Sequence, residues 1–269
     1  MPIDTAEDRA YENRSYIPEA DDYAGRWAKL AAAWRATAEA RLDIAYGVGP
    51  RERYDLFLPK GGTPKGLATF VHGGYWMAFD KSYWSHLAAG PVARGFAVMV
   101  PSYPLCPDVR IAAIVQSTGA ALAHAARSVP GPIMLSGHSA GGHLVSRMAC
   151  TDAPLPGDVQ ARLSRLVSIS GLHDLRPLMA TKMNETLHIT KVEARRESPA
   201  LLDPLPIDVV AWVGDGERPQ LRRQSRLLAL IWEGLTRSMR YTEAPDRHHF
   251  VVIAELSDPH SPLTDALVG

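Results

Sequence analysis

The sequence predicts an α/β protein: an open, mostly parallel, doubly wound sheet with a short insert over one end of its strands. Three observations carry this. Five apolar, β-forming runs recur along the chain, and near-continuous apolar runs mark strands buried on both faces of a parallel sheet. Stretches of helical length lie between them, and strand–helix alternation winds a sheet of this kind. One run, Pro132-Ile133-Met134-Leu135-Ser136, leads through Gly137-His138-Ser139-Ala140-Gly141 into a helical stretch. That strand, sharp turn and helix would display a serine at the tip of the turn.

Taken in order, residues 1 to about 40 are polar and Ala-rich, and residues 23–40 can form one or two helices with Trp27, Leu30 and Trp34 on one face. Such a helix either packs on the main domain or roofs its site. Leu42-Asp43-Ile44-Ala45-Tyr46 alternates as a half-buried strand does, and Tyr54-Asp55-Leu56-Phe57-Leu58 follows after a Gly-Pro turn signal. These two are expected to form an antiparallel edge. The buried runs are residues 67–71, 97–100, 133–135, 166–169 and 209–213, with a last strand at 239–243. Helices are expected over residues 83–94, 111–128, 140–150, 220–234 and 251–256. The insert is residues 174–206, longer than an ordinary connection and rich in Leu, Met, Thr and Pro. It is a candidate lid, because ligands in open α/β sheets bind beyond the carboxyl ends of strands. No repeat, low-complexity tract or linker divides the chain, so one domain over residues 1–269 is expected.

Composition narrows the class. The 269 residues are 46% hydrophobic and 22% charged, with 29 Lys+Arg against 29 Asp+Glu. No basic surplus suits nucleic acid or an anionic membrane. Residues 1–8 are acidic and lack the apolar stretch of a signal peptide, and no run approaches membrane-spanning length, so a cytoplasmic protein is expected. Cys106 and Cys150 are far apart and in no metal-ligand spacing, which favours two buried free thiols. Asn184-Glu185-Thr186 fits a glycosylation acceptor, a pattern without meaning in a protein that is not secreted.

The chemistry starts at Ser139. Side chains at Gly137 and Gly141 would clash in the strained turn around it. A serine needs a base, and the base needs an orienting acid. The base is expected on the loop after the last strand, where His248 and His249 compete, and His249 beside Phe250 is preferred. A metal site at this pair lacks a supporting cluster. The acid is expected after the strand that ends at Val213-Gly214, where Glu217 is preferred over Asp215, since Asp215-Gly216 has the composition of a tight turn. Oxyanion donors are expected from the amides of Gly73, Gly74 and Ala140. His72 is expected to bond loop backbone. Tyr75, Trp76, Phe79, Tyr83 and Trp84 crowd ten residues, either as packing or as the wall of a pocket for a flat substrate.

His72-Gly73-Gly74-Tyr75-Trp76, taken with Gly137-His138-Ser139-Ala140-Gly141-Gly142-His143-Leu144, resembles the serine-dependent arylformamidases (kynurenine formamidases), α/β-hydrolases close to the hormone-sensitive-lipase-like esterases. Residues 170–178, 184–199 and 214–225 are similar to that family's segments after the sixth strand, over the site and around the acid, and the likeness runs from about Leu42 to Glu255. The resemblance implies an α/β-hydrolase fold and places the acid on Glu217, where animal members carry aspartate, and the base on His249. It implies substrate contacts at Tyr75, Trp76 and Asn184, no metal and no cofactor. The histidine-rich motif of the metal-dependent bacterial formamidases is missing from the sequence. The expected activity is cleavage of an aryl formamide such as N-formylkynurenine through an acyl-enzyme. A carboxylesterase or thioesterase for small acyl esters is the alternative, and a non-catalytic module on the same fold is disfavoured because all three triad members are present. The expected partner is a small-molecule substrate, with no nucleic acid and no membrane; a homodimer is left open.

Overall fold

The strands follow from the apolar runs. In the computed structural model, which describes residues 5–269, they are β1 (Ala40–Ala45), β2 (Arg53–Phe57), β3 (Leu67–Thr69), β4 (Ala97–Pro101), β5 (Ile133–His138), β6 (Leu163–Ile169), β7 (Asp208–Gly214) and β8 (Ser238–Ala244). They form one sheet in the order β1-β2-β4-β3-β5-β6-β7-β8. β1 pairs antiparallel with β2, and β2 antiparallel with β4; every other pairing is parallel. The expected antiparallel edge is therefore present, and the fold is that of an α/β-hydrolase.

The helices are α1 (Ala6–Tyr11), α2 (Tyr23–Arg35), α3 (Ala89–Ala93), α4 (Ile111–Ala126), α5 (Ala140–Met148), α6 (Gly157–Gln160), α7 (Asn184–Leu187), α8 (Lys191–Arg196), α9 (Pro219–Trp232) and α10 (Pro262–Val268). One face of the sheet is covered by α4, α5 and α9, through Ile114, Leu122, Leu144, Met148, Leu221 and Leu228. The other face is covered by α10 and by aromatic side chains that include Trp27 of α2. Burying a Leu-sized side chain contributes roughly 1.5–3 kcal/mol, so both layers hold the sheet that carries the site.

Three elements differ from expectation. Residues 83–94 are two 3₁₀ turns (Lys81–Tyr83 and Ser85–Ala88) followed by the short α3, not one helix. Pro91 supplies no N–H and crowds the preceding turn. Residues 251–256 hold only a 3₁₀ turn at Ala254–Ser257. In α2, Trp27 and Ala31 are buried, Trp34 is half-buried and Leu30 is exposed, so the inward face is narrower than the sequence spacing suggested.

The insert consists of short helical pieces, including α7 and α8, pinned to α5. Arg147 donates to Glu197 at 2.9 Å with both side chains buried, and His143 Nε2 donates to the Glu197 carbonyl at 2.6 Å. Both cysteines are buried free thiols. Among the described residues no helix is long and apolar enough to cross a membrane. Of the N-terminal stretch read for targeting, residues 1–4 lie outside the described residues.

Candidate active site

The turn between β5 and α5 holds Ser139 at φ 55°, ψ −117°. A non-glycine residue in such a conformation costs roughly 1–3 kcal/mol and persists where its surroundings over-determine it. Here they do: the Ser139 amide donates to the Ile169 carbonyl at 2.9 Å, and the His143 amide donates to the Ser139 carbonyl at 3.1 Å. A Cβ on Gly141 would overlap the Val71 carbonyl, so this glycine is required by the close approach of β3's continuation to the turn.

Glu217 and His249 come from the loops after β7 and β8. His249 Nδ1 donates to Glu217 Oε2 at 2.6 Å. The other carboxylate oxygen accepts the Gly214 amide at 2.9 Å and the Ser170 hydroxyl. Both carboxylate oxygens are thus engaged, and the residue is buried. With Nδ1–H committed to the carboxylate, Nε2 is the atom left to accept a proton. Asp215, the competing acid, is exposed. His248, the competing base, turns to the Tyr23 hydroxyl at 3.3 Å.

Ser139, His249, Gly73 and Gly74 line one cavity of about 350 Å³. Gly73 lies so close to the nucleophile turn that a Cβ there would sit 3.0 Å from Ser139 Cβ and 2.9 Å from the His138 carbonyl. Glycine therefore lets the loop backbone reach the serine. The amides of Gly73, Gly74 and Ala140 make no hydrogen bond to a protein group among the described residues, as donors kept for an oxyanion would. His72 is fully buried, stacked on Tyr103 at 4.3 Å, with Nδ1 donating to the Gly73 carbonyl at 2.7 Å. Burial pushes its pKa down to about 4, which keeps it a neutral brace for the loop.

The aromatic cluster after the glycines splits. Tyr75, Phe79 and Trp84 line the cavity, while Tyr83 packs on Phe79 at 5.2 Å. Trp76 lies off the wall: it is wholly buried in the core, edge-on to His143 at 5.2 Å. Asn184 is also off the wall, its side chain spanning the turn after α7, with Oδ1 accepting the Ile189 amide at 2.6 Å and Nδ2 donating to the Ile189 and Met179 carbonyls. Its neighbour Met183 faces the cavity instead.

Two contributors escaped sequence reasoning. His138 lines the cavity with its ring 4.4 Å from that of His249, and burial holds its pKa well below the ordinary value. A motif that leaves this position open gives no sign of it. The second is the N-terminal segment. Tyr11, Asn13 and Trp27 line the cavity, with Trp27 5.3 Å from Phe250 and 4.6 Å from Trp84. Both readings of residues 23–40 hold, since Trp27 packs in the layer over the sheet and also lines the cavity, while Tyr11 and Asn13 carried no signal in the sequence.

A strained serine, a carboxylate-bound histidine and unpaired amides on an open α/β sheet define a hydrolase of the α/β-hydrolase class. The BD-FAE family profile matches residues 54–201, more than half of the chain, and the chain belongs to that family. Kynurenine formamidase of Danio rerio is 28% identical over 245 residues, covering 87% of this chain and 83% of that protein. The crystal structure of a Silicibacter sp. TM1040 protein described as a candidate thioesterase superposes with a TM-score of 0.94 at 46% identity, over 99% of this chain and 100% of that one. The carboxylesterase EstE1, cloned from a metagenomic library, shares the fold at a TM-score of 0.69 and 16% identity, over 90% and 96% of the two chains.

Proposed function

We propose that this hydrolase cleaves an aryl formamide such as N-formylkynurenine through an acyl-enzyme on Ser139, with His249 as base, Glu217 as its orienting acid, and the amides of Gly73, Gly74 and Ala140 as the oxyanion hole. The observation that carries the mechanism is the buried Glu217–His249 hydrogen bond of 2.6 Å in the same cavity as Ser139.

His249 Nε2 takes the Ser139 proton as Oγ attacks the formyl carbon. The loop amides receive the oxyanion, and each such donor supplies roughly 2.7–4 kcal/mol of transition-state stabilisation. The imidazolium, held by Glu217, then protonates the departing arylamine. Water, activated by the same histidine, releases formate and restores the serine. The residues of the site carry each of these steps without calling on a metal or cofactor.

Two observations support the aromatic leaving group: the Danio rerio relative is a kynurenine formamidase, and Phe79, Trp84 and Phe250 line the cavity. Esters or thioesters of small acids are the second reading, favoured by the Silicibacter relative. Purified protein given N-formylkynurenine, p-nitrophenyl acetate and acetyl-CoA in parallel decides. Formamide turnover with the highest kcat/KM supports the first reading, and negligible formamide turnover beside rapid cleavage of either acyl ester overturns it. The compartment expected for the enzyme is the cytoplasm, and its partner is the small-molecule substrate.

A further inference from the structure

We propose that Asn13 is a positioning residue: through the hydroxyl of Tyr75 it latches the N-terminal roof onto the loop that carries the oxyanion amides. The proposal rests on the reading of Gly73 and Gly74 as oxyanion donors.

The loop stores strain. Gly74, Tyr75 and Trp76 have φ of +106°, +51° and +59°, three consecutive residues in the left-handed half of conformational space. For Tyr and Trp this costs roughly 1–3 kcal/mol each, and it persists only under external constraint. Each residue has its own. Gly74 is held locally, its carbonyl accepting the amides of Met77 at 2.9 Å and Ala78 at 3.1 Å. Trp76 is held from the core, by burial against His143 and by the Cys106 amide donating to its carbonyl at 2.8 Å.

Tyr75 is held from the roof. Its hydroxyl donates to the Tyr11 carbonyl and accepts Asn13 Nδ2 at 2.8 Å, contacts that close more than sixty residues of chain. Burial pushes the Tyr75 phenol well up from its ordinary value, so it keeps the proton with which it donates. The anchor is firm. Asn13 is 4% exposed and Tyr11 2%. The Tyr11 hydroxyl accepts Gln224 Nε2 at 3.2 Å, and Gln224 Oε1 accepts the amides of His173 at 2.9 Å and Asp174 at 2.8 Å. A hydrogen-bonded path therefore runs from α9 through the roof to the loop beside Ser139.

If the latch is cut, the backbone at Tyr75 is free to relax out of its strained region and carry the neighbouring amides with it. Displacement of such donors by about 1 Å can cost as much as a hundredfold in rate. The loss falls on the step that needs the oxyanion, so it shows in kcat.

The test uses Asn13→Ala, Tyr75→Phe and the double variant in the full chain, with p-nitrophenyl acetate turnover and the labelling rate of Ser139 by a fluorophosphonate as readouts. The expected result is a fall of about tenfold in kcat and in labelling rate for Asn13→Ala, the worth of about one hydrogen bond, and a larger fall for Tyr75→Phe, which loses both hydroxyl contacts. KM stays within about twofold, and the double variant is no more than about twofold below Tyr75→Phe, since loss of the Tyr75 hydroxyl already removes the Asn13 contact. Wild-type rates in Asn13→Ala, losses confined to KM, or a multiplicative loss in the double overturns the latch. Absence of labelling at Ser139 in the wild-type protein overturns the reading of the site itself, and the latch with it; normal wild-type labelling with unimpaired variants overturns the latch alone.

Discussion

The wall that holds His249 and the roof that completes the cavity are built differently. In the wall both carboxylate oxygens of Glu217 have partners: His249 Nδ1, the Gly214 amide and the Ser170 hydroxyl. The roof side is aromatic, with Trp27 clustered on Trp84, Phe79 and Phe250 at centroid separations of 4.6 to 6.0 Å. A saturated hydrogen-bond set in a low-dielectric site fixes one geometry, which proton transfer requires. Aromatic faces define a slot and its size while tolerating variation in what fills it. The wall thus fixes the proton-transfer geometry, and the aromatic part of the roof shapes the slot beside it.

The predictions separate the two regions by size of effect. Ser139→Ala is expected to lower kcat by about 10⁴-fold or more with the thermal midpoint preserved. Steady-state kinetics beside a thermal melt checks this, and retained turnover would remove Ser139 from its role. Glu217→Gln keeps the shape but not the charge that fixes the tautomer, and kcat should drop by about 10³- to 10⁴-fold. Asp215→Asn, at an exposed position where substitutions have small effects, should stay within about twofold. Parity between these two variants would move the acid elsewhere. On the roof, Phe79→Leu should narrow the preference for phenyl acetate over ethyl acetate by about threefold to tenfold, the worth of one aromatic contact. A kcat loss of equal size on both esters would instead tie Phe79 to the wall.

The last effect is on stability with pH. His72, His143 and His173 are fully buried, and burial pushes their pKa values down to about 4, 3 and 4. The unfolded chain binds protons at these residues near pH 6.5, while the folded chain does not. Their contribution is therefore fully present above about pH 6.5 and is lost as pH falls toward 4. Thermal melts at low ionic strength should show the midpoint falling over that interval. A midpoint flat from pH 7 to 4.5 would mean that these histidines are protonated in the fold.

Wall and roof also differ in how legible they were. The strand runs, the antiparallel edge and the nucleophile turn follow from local pattern, because burial on both faces and a forced close approach each leave residue-level marks. The preference for Glu217 over Asp215 rests on how far a side chain reaches from a tight turn, and Glu217 is the carboxylate that accepts from His249 at 2.6 Å. The roof left few marks. Whether Trp76 faces ligand or core depends on the left-handed backbone at Tyr75 and Trp76, which only glycine announces in a sequence. The resemblance implies a substrate contact at Asn184 because its segment is similar to one over the site, yet its side-chain amide is consumed by its own turn. His138 contacts His249 across more than a hundred residues of chain, a contact with no local periodicity. The 3₁₀ pieces at residues 81–88 arise where packing under the roof prevails over a weak helical pattern broken by Gly90-Pro91.

The central claim is that Ser139 carries the acyl group and that the Glu217–His249 pair clears it. Rapid acid quench of the enzyme during turnover of p-nitrophenyl acetate, followed by intact-mass and peptide mass spectrometry, tests it most directly. One acetyl group on the peptide containing Ser139, at higher occupancy in His249→Ala than in wild type when each is given time to load, is the predicted result. Acetylation at another residue, or turnover with no covalent adduct in either protein, would contradict it.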